Sequence, residues 1–179
     1  MKDKSDAAPA QLLTLLRNPK QANVALGGGK AEAIFEESYR EFVSLPSARS
    51  AYHEFFISLG DQKKLPALFH CTTGKDRTGW AAAALLTLLD VPKETVMEDY
   101  LRSNDYILPL YKKGIDAFVA GGGEQSIPQA ILGVKAEYLE AAFDEMQTKY
   151  GAIENYFFEA LGIDASTQKA LRDLYLAQE

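Results

Sequence analysis

Cysteine is nearly missing from this sequence of 179 residues. The one that is present, Cys71, has no partner, so no disulfide can form within the chain. Long apolar runs are missing too. The longest, Trp80–Leu89, is interrupted by Thr87 and is too short to cross a bilayer, so no membrane span is expected. The start, Met1-Lys2-Asp3-Lys4-Ser5-Asp6, has no apolar signal core. That places the protein in the cytoplasm by default, with secretion left open because a truncated start would hide a signal. Positive charge is also in short supply: 19 Lys and Arg face 25 Asp and Glu, a net −6. Nucleic acid as a general partner is excluded, since phosphate backbones need a basic face, although one small anion site is not. What is there is a globular composition, 47% apolar and 11% aromatic. There is too much Leu, Phe and Tyr for a disordered chain, and enough length for one domain with a core, residues 1–179.

The apolar pattern predicts helices almost throughout. Gln11–Arg17 carries four leucines. Glu32–Leu45 has Ile34, Phe35, Tyr39, Phe42 and Val43 at helical spacing and stops at Pro46, and Ser47–Leu59 stops at Gly60-Asp61. After Gly79 come Trp80–Leu89, Lys93–Arg102, Asp105–Ala120 with Pro109 as its start or a kink, Glu137–Tyr150, Ile153–Leu161 and Ser166–Leu176. The helical C-terminal part thus runs from 92 to 179. Only Leu65–His70 reads with assurance as a strand, short and buried, with a second candidate at Ala22–Leu26. One strand cannot make a sheet. Either the domain is nearly all helix, or its other strands lie on sequence outside this chain.

The unusual stretch is His70-Cys71-Thr72-Thr73-Gly74-Lys75-Asp76-Arg77-Thr78-Gly79, set between the predicted strand and a helix, so that 65–79 forms one strand, loop and helix start. A tight loop entering a helix turns its backbone N–H groups inward and makes an anion cradle. Arg77 adds a planar fork for two phosphate oxygens. Cys71 at the floor of that cradle is expected to ionise near neutral pH and to lie in line with a bound phosphoryl group. Gly74 permits a conformation that a side chain hinders, Thr78 offers a hydroxyl to the sulfur, and His70 fixes the loop through its ring. Thr72, Thr73, Gly74, Lys75, Asp76 and Arg77 form the expected phosphate-binding set. Lys75 reads either as a second charge at the mouth or as a simple loop cation.

This segment resembles the signature loop, Cys-x5-Arg-Ser/Thr, of the cysteine-dependent tyrosine phosphatases. In the form His-Cys-x-x-Gly-Lys-Asp-Arg-Thr-Gly it is similar to a bacterial class of them, some members of which also act on phosphoinositides. Asp99–Asn104 resembles the class's motif after the loop, and the segments around Tyr138–Gly151, Leu161-Gly162 and Leu171-Arg172 resemble its helical tail. The resemblance covers roughly residues 47–176. It implies a parallel sheet flanked by helices, to which this mostly helical chain contributes few strands. It also implies phosphomonoester hydrolysis through a phosphocysteine on Cys71, with Arg77 and the loop amides stabilising charge, and with neither metal nor cofactor. The implied substrate is a phosphotyrosine protein or a phosphoinositide.

The pattern departs from the class ahead of the loop. The sheet-forming segments expected there are not found, so the chain is expected to be the C-terminal part of a family member, paired with a missing N-terminal segment or with a second copy of itself. The general acid is open as well. Glu36, Glu37 and Glu41 read as a helix face and Asp61 as a helix stop. Asp76 is left, as acid, as base for the attacking water, or as a partner for Lys75, with an acid on the missing sequence as the rival. Tyr100, Tyr106 and Tyr111 read either as half-buried helix residues or as walls of a phosphotyrosine pocket. Three other functions compete: a lipid phosphatase, a weak phosphate-binding fragment, and a rhodanese-type sulfurtransferase, which the Arg-Thr-Gly ending argues against.

Overall fold

The computed structural model describes residues 12–176; Gln11 and the charged start lie outside them. The longer helices are α1 (Pro19–Leu26), α2 (Lys30–Ser44), α3 (Pro46–Leu59), α4 (Asp76–Leu88), α5 (Lys93–Leu101), α6 (Ser103–Ala120), α7 (Ser126–Leu132) and α8 (Ala136–Tyr150). A three-residue helical turn, α9 (Ile153–Asn155), runs into a π-helical turn at Tyr156–Ala160, and α10 (Ala165–Tyr175) follows.

The stripes predicted from the sequence are for the most part the faces that pack, with Ile34 on α2 left at the surface. On α2, Ala31, Phe35, Tyr39 and Val43 are buried at intervals of four, the spacing that lines up one side of a helix. They meet α8, where Phe35 stacks on Tyr138 with ring centroids 5.3 Å apart. Trp80 on α4 is fully buried, edge-on to Phe143 at 5.5 Å and to Tyr156 at 5.7 Å. Each such side chain contributes about 1.5–3 kcal/mol by leaving water, so helix-on-helix burial holds this part of the molecule together. The small residues Ala81, Ala83 and Ala84 are what let α4 sit close to its neighbours.

Two strand predictions are corrected. Ala22–Leu26 belongs to α1, where the Asn18 side chain accepts from the Gln21 N–H at 3.2 Å and Pro19 opens the first turn; that capping outweighs a short apolar run. Leu65–His70 joins no sheet: the Leu65 N–H donates back to the Gln62 carbonyl at 3.3 Å, and among the described residues there is no strand. The sequence pattern has it buried, yet Leu68 is 92% exposed and only Leu65 and Phe69 are half-buried. A strand needs a neighbour for its backbone groups, and the elements on either side here are helical. The parallel sheet is therefore not part of the described residues. Helix α7 is absent from the sequence-based expectations. It is short and contains Pro128 next to a Gly-rich turn, but it buries Ile127, Ala130, Ile131 and Leu132.

Candidate active site

The residues from Cys71 to Lys75 form a loop that ends on the first turn of α4, whose unpaired N–H groups and helix dipole face it. Gly74 has φ +71°, in the left-handed region, with open space where a Cβ would be, so glycine is needed there for conformation and not for room. Cys71 is half-buried. Burial pushes its thiol up, but the Thr78 hydroxyl and the backbone N–H groups of Thr78, Thr73 and Gly74 outweigh that and bring it down to about 7. Thr78 Oγ1 is itself buried, and the Cys71 sulfur is the acceptor at hand for its proton. The thiolate is the acceptor that satisfies it, which is a reason for the sulfur to ionise.

Arg77 closes the loop. Its Nη2 donates to Thr72 Oγ1 at 3.1 Å, joining two residues that flank the mouth. Its carbonyl accepts from the Tyr52 hydroxyl at 3.1 Å, which ties the first turn of α4 to α3. His70 Nδ1 donates to the Cys71 carbonyl at 3.0 Å, so its ring holds the main chain at the cysteine. Thr72, Thr73 and Gly74 are exposed around the opening.

Lys75 faces the other way. In place of a position at the mouth, it is only 3% exposed and its Nζ donates to the Gly133 carbonyl at 2.9 Å and to Asp76 Oδ1 at 2.8 Å, over the Phe35 ring. An ammonium so placed is a structural cation inside the helical body, where partners on every side offset its desolvation. Asp76, with 20% of its side chain exposed, is the partner of Lys75, and the same Oδ1 also accepts from the Tyr39 hydroxyl at 3.1 Å. Tyr39 and Tyr100 lie 2.6 Å apart, oxygen to oxygen. Burial, the Asp76 charge and the Tyr100 neighbour hold the Tyr39 phenol well above its ordinary range, so it stays a donor.

The motif after the loop acquires a purpose here. Tyr100 reaches Tyr39, while Asn104 makes a two-way clasp with Val134, donating to its carbonyl at 2.9 Å and accepting from its N–H at 2.8 Å. That clasp fixes the segment whose Gly133 carbonyl receives Lys75. Of the three tyrosines that could wall a substrate pocket, Tyr100 is buried, and Tyr106 and Tyr111 are exposed on α6. The cavity beside Cys71 and Arg77, about 250 Å³, is walled instead by Phe42, Tyr52, Phe55 and Phe69. Asp61 caps the turn at Gln62–Lys64 by accepting from the Lys63 N–H at 3.0 Å, and Glu36, Glu37 and Glu41 stay part-exposed or exposed on α2. Sequence reasoning missed Tyr39 and Tyr52 as site residues. The available signal was a tyrosine on a buried stripe where phenylalanine packs as well, since a buried hydroxyl usually has a partner.

The sequence profile of the tyrosine phosphatase family matches residues 7–177. The chain belongs to that family. It is 34% identical over 129 residues to a protein of Cupriavidus necator provisionally named a tyrosine-protein phosphatase, an overlap of 72% of this chain and 45% of that protein. It is 30% identical over 157 residues to the triple specificity protein phosphatase of Mycobacterium tuberculosis, covering 82% of this chain and 56% of the other. A tyrosine-protein phosphatase of Nostoc commune is 38% identical over 63 residues, 35% of this chain and 21% of that one. The chain spans about half the length of the first two relatives.

Proposed function

We propose that the protein is a cysteine-dependent phosphatase that hydrolyses phosphotyrosine by way of a phosphocysteine on Cys71. The observation that carries this is the sulfur itself, brought to about 7 by donors that converge on it from Thr73, Gly74 and Thr78. In the first step the thiolate attacks phosphorus; the S–P bond forms, the P–O bond to the leaving group breaks, and an acid protonates the departing oxygen. In the second, water attacks phosphorus and the thiolate leaves, while a base takes the proton from water. Arg77 and the loop N–H groups stabilise the charge on the phosphoryl oxygens in both steps. Asp76 is the carboxylate nearest in sequence and serves as that acid and base, with its Oδ1 held by Lys75 and Tyr39.

The lack of a strand partner for Leu65–His70 among the described residues, the exposed Leu68 and the apolar cavity that reaches Phe69 support a second part of this reading. The segment pairs, in the intact protein, with a parallel sheet supplied from outside this chain. Triple specificity in the M. tuberculosis relative supports a broad range of phosphomonoesters here as well. With Lys75 turned inward the mouth lacks its second charge for a polyanionic inositol headgroup, which supports phosphotyrosine as the preferred substrate class. The experiment is p-nitrophenyl phosphate hydrolysis by the intact protein beside Cys71→Ser. Turnover that is lost in the variant and inhibited by vanadate is expected; equal turnover in both would overturn the reading. Phosphotyrosine peptide and phosphoinositide offered in competition then rank the two substrate classes.

A further inference from the structure

Two buried hydroxyls, those of Tyr39 and Tyr100, stand behind the Asp76 carboxylate. We propose that Tyr39, itself held by Tyr100, is the positioning residue that aims the Asp76 carboxylate for proton transfer. The proposal rests on the reading of Asp76 as the acid and base. Tyr39 donates to Asp76 Oδ1 at 3.1 Å, and its oxygen lies 2.6 Å from that of Tyr100. A phenol has one proton. With the Tyr39 proton committed to the carboxylate, the Tyr100 hydroxyl must donate to Tyr39, so the pair forms an ordered relay that ends on Asp76. Lys75 also lands on Oδ1, at 2.8 Å. Both protein bonds therefore fall on one oxygen, which leaves Oδ2 to carry the transferred proton.

A lysine alone does not fix a carboxylate, because its ammonium sits on a flexible stem. The second donor comes from a rigid source. Tyr39 and Tyr100 are buried, on α2 and α5, with their rings edge-on at 6.1 Å. The close approach of Tyr100 to α4 depends on Gly79, where a Cβ would come within 2.9 Å of two Tyr100 ring atoms. Three helices thus converge to hold one carboxylate at the start of α4. A misplacement of about 1 Å at such a group costs on the order of a hundredfold in rate.

The test is Tyr39→Phe in the intact protein, which keeps the ring and removes the hydroxyl, compared with Asp76→Asn and the double variant. Two substrates are used. Phenyl phosphate has a poor leaving group that needs protonation, and p-nitrophenyl phosphate has one that needs little. The expected Asp76→Asn loss with phenyl phosphate is about a hundredfold in kcat, in the range of general acid catalysis. For Tyr39→Phe it is about tenfold, with a much smaller loss on p-nitrophenyl phosphate, KM changed less than about twofold, and the double variant no worse than Asp76→Asn. Equal losses on both substrates, or none, overturn the proposal while leaving Asp76 in its role. If Asp76→Asn itself shows no dependence on leaving group, the underlying reading of Asp76 fails instead. Tyr100→Phe provides a second variant that leaves Tyr39 in place; the same substrate bias at a smaller size is expected, and its lack counts against the relay even if Tyr39→Phe fails to fold.

Discussion

The loop from Cys71 to Thr78 has two halves that differ in where they face. Thr72, Thr73, Gly74 and Arg77 are exposed around the sulfur, and the bond between Arg77 and Thr72 is the one that spans the mouth. Lys75 points into the helical body and is held there by Gly133 and Phe35, and one Asp76 oxygen, Oδ1, is turned to Lys75 and Tyr39. The outer half leaves its polar groups open at the mouth, where the proposed phosphoryl group would sit. In the inner half Lys75 anchors the loop and, with Tyr39, holds Asp76 by one oxygen. Neighbouring residues of one motif are therefore placed differently, and charge alone does not tell which cation stays at the mouth: Arg77 and Lys75 are two positions apart and face opposite ways.

Substitutions can break or sharpen this contrast. The largest effect belongs to the sulfur: Cys71→Ser should lower p-nitrophenyl phosphate turnover on the order of 10⁴-fold or more, since the nucleophile acts as a unit with its donors. Next comes Arg77→Lys, which keeps the charge but loses the planar fork; steady-state kinetics should show about a 10²- to 10³-fold fall in kcat. Lys75→Met probes the inner half. It leaves the Gly133 carbonyl and Asp76 without their cation, and thermal or urea denaturation should register a loss of about 2–4 kcal/mol. Vanadate affinity of the folded variant should change by less than about threefold, whereas a lysine at the mouth would cost at least about tenfold.

The smallest effect concerns ionisation. With Cys71 at about 7, the thiolate is the main form above that pH, so alkylation by iodoacetamide should rise as pH passes through about 7 and level off beyond it. Thr78→Val removes a donor to the thiolate and should move that midpoint upward, toward the ordinary thiol value of about 8.5. An unmoved midpoint would mean that the backbone N–H groups hold the thiolate without the hydroxyl.

The outer half is legible in the residue order, because its chemistry is local. A Cys and an Arg six residues apart on a turn into a helix are brought together by the turn itself, and the helical stripes on α2 and α8 follow from spacing alone. The inner half is not legible in this way. The local pattern leaves Asp76 as acid, base or Lys75 partner, and the fold makes it at least the last of these. The donors that complete its surroundings lie 37 and 61 residues apart in sequence, Tyr39 from Asp76 and from Tyr100, and nothing in the local pattern joins them.

The strand shows the same limit from the other side. Leu65–His70 has the composition of a buried strand, yet its burial depends on a neighbour that local sequence cannot supply, and among the described residues there is none. Residue order alone was enough to specify most of the helices and their buried faces, α1 and α7 excepted, since those rest on interactions within a few residues of one another. Which way Lys75 turned, which hydroxyls reached Asp76 and whether the extended segment found a sheet were decided by packing between distant elements, where burial and desolvation choose among conformations that the local chain permits equally.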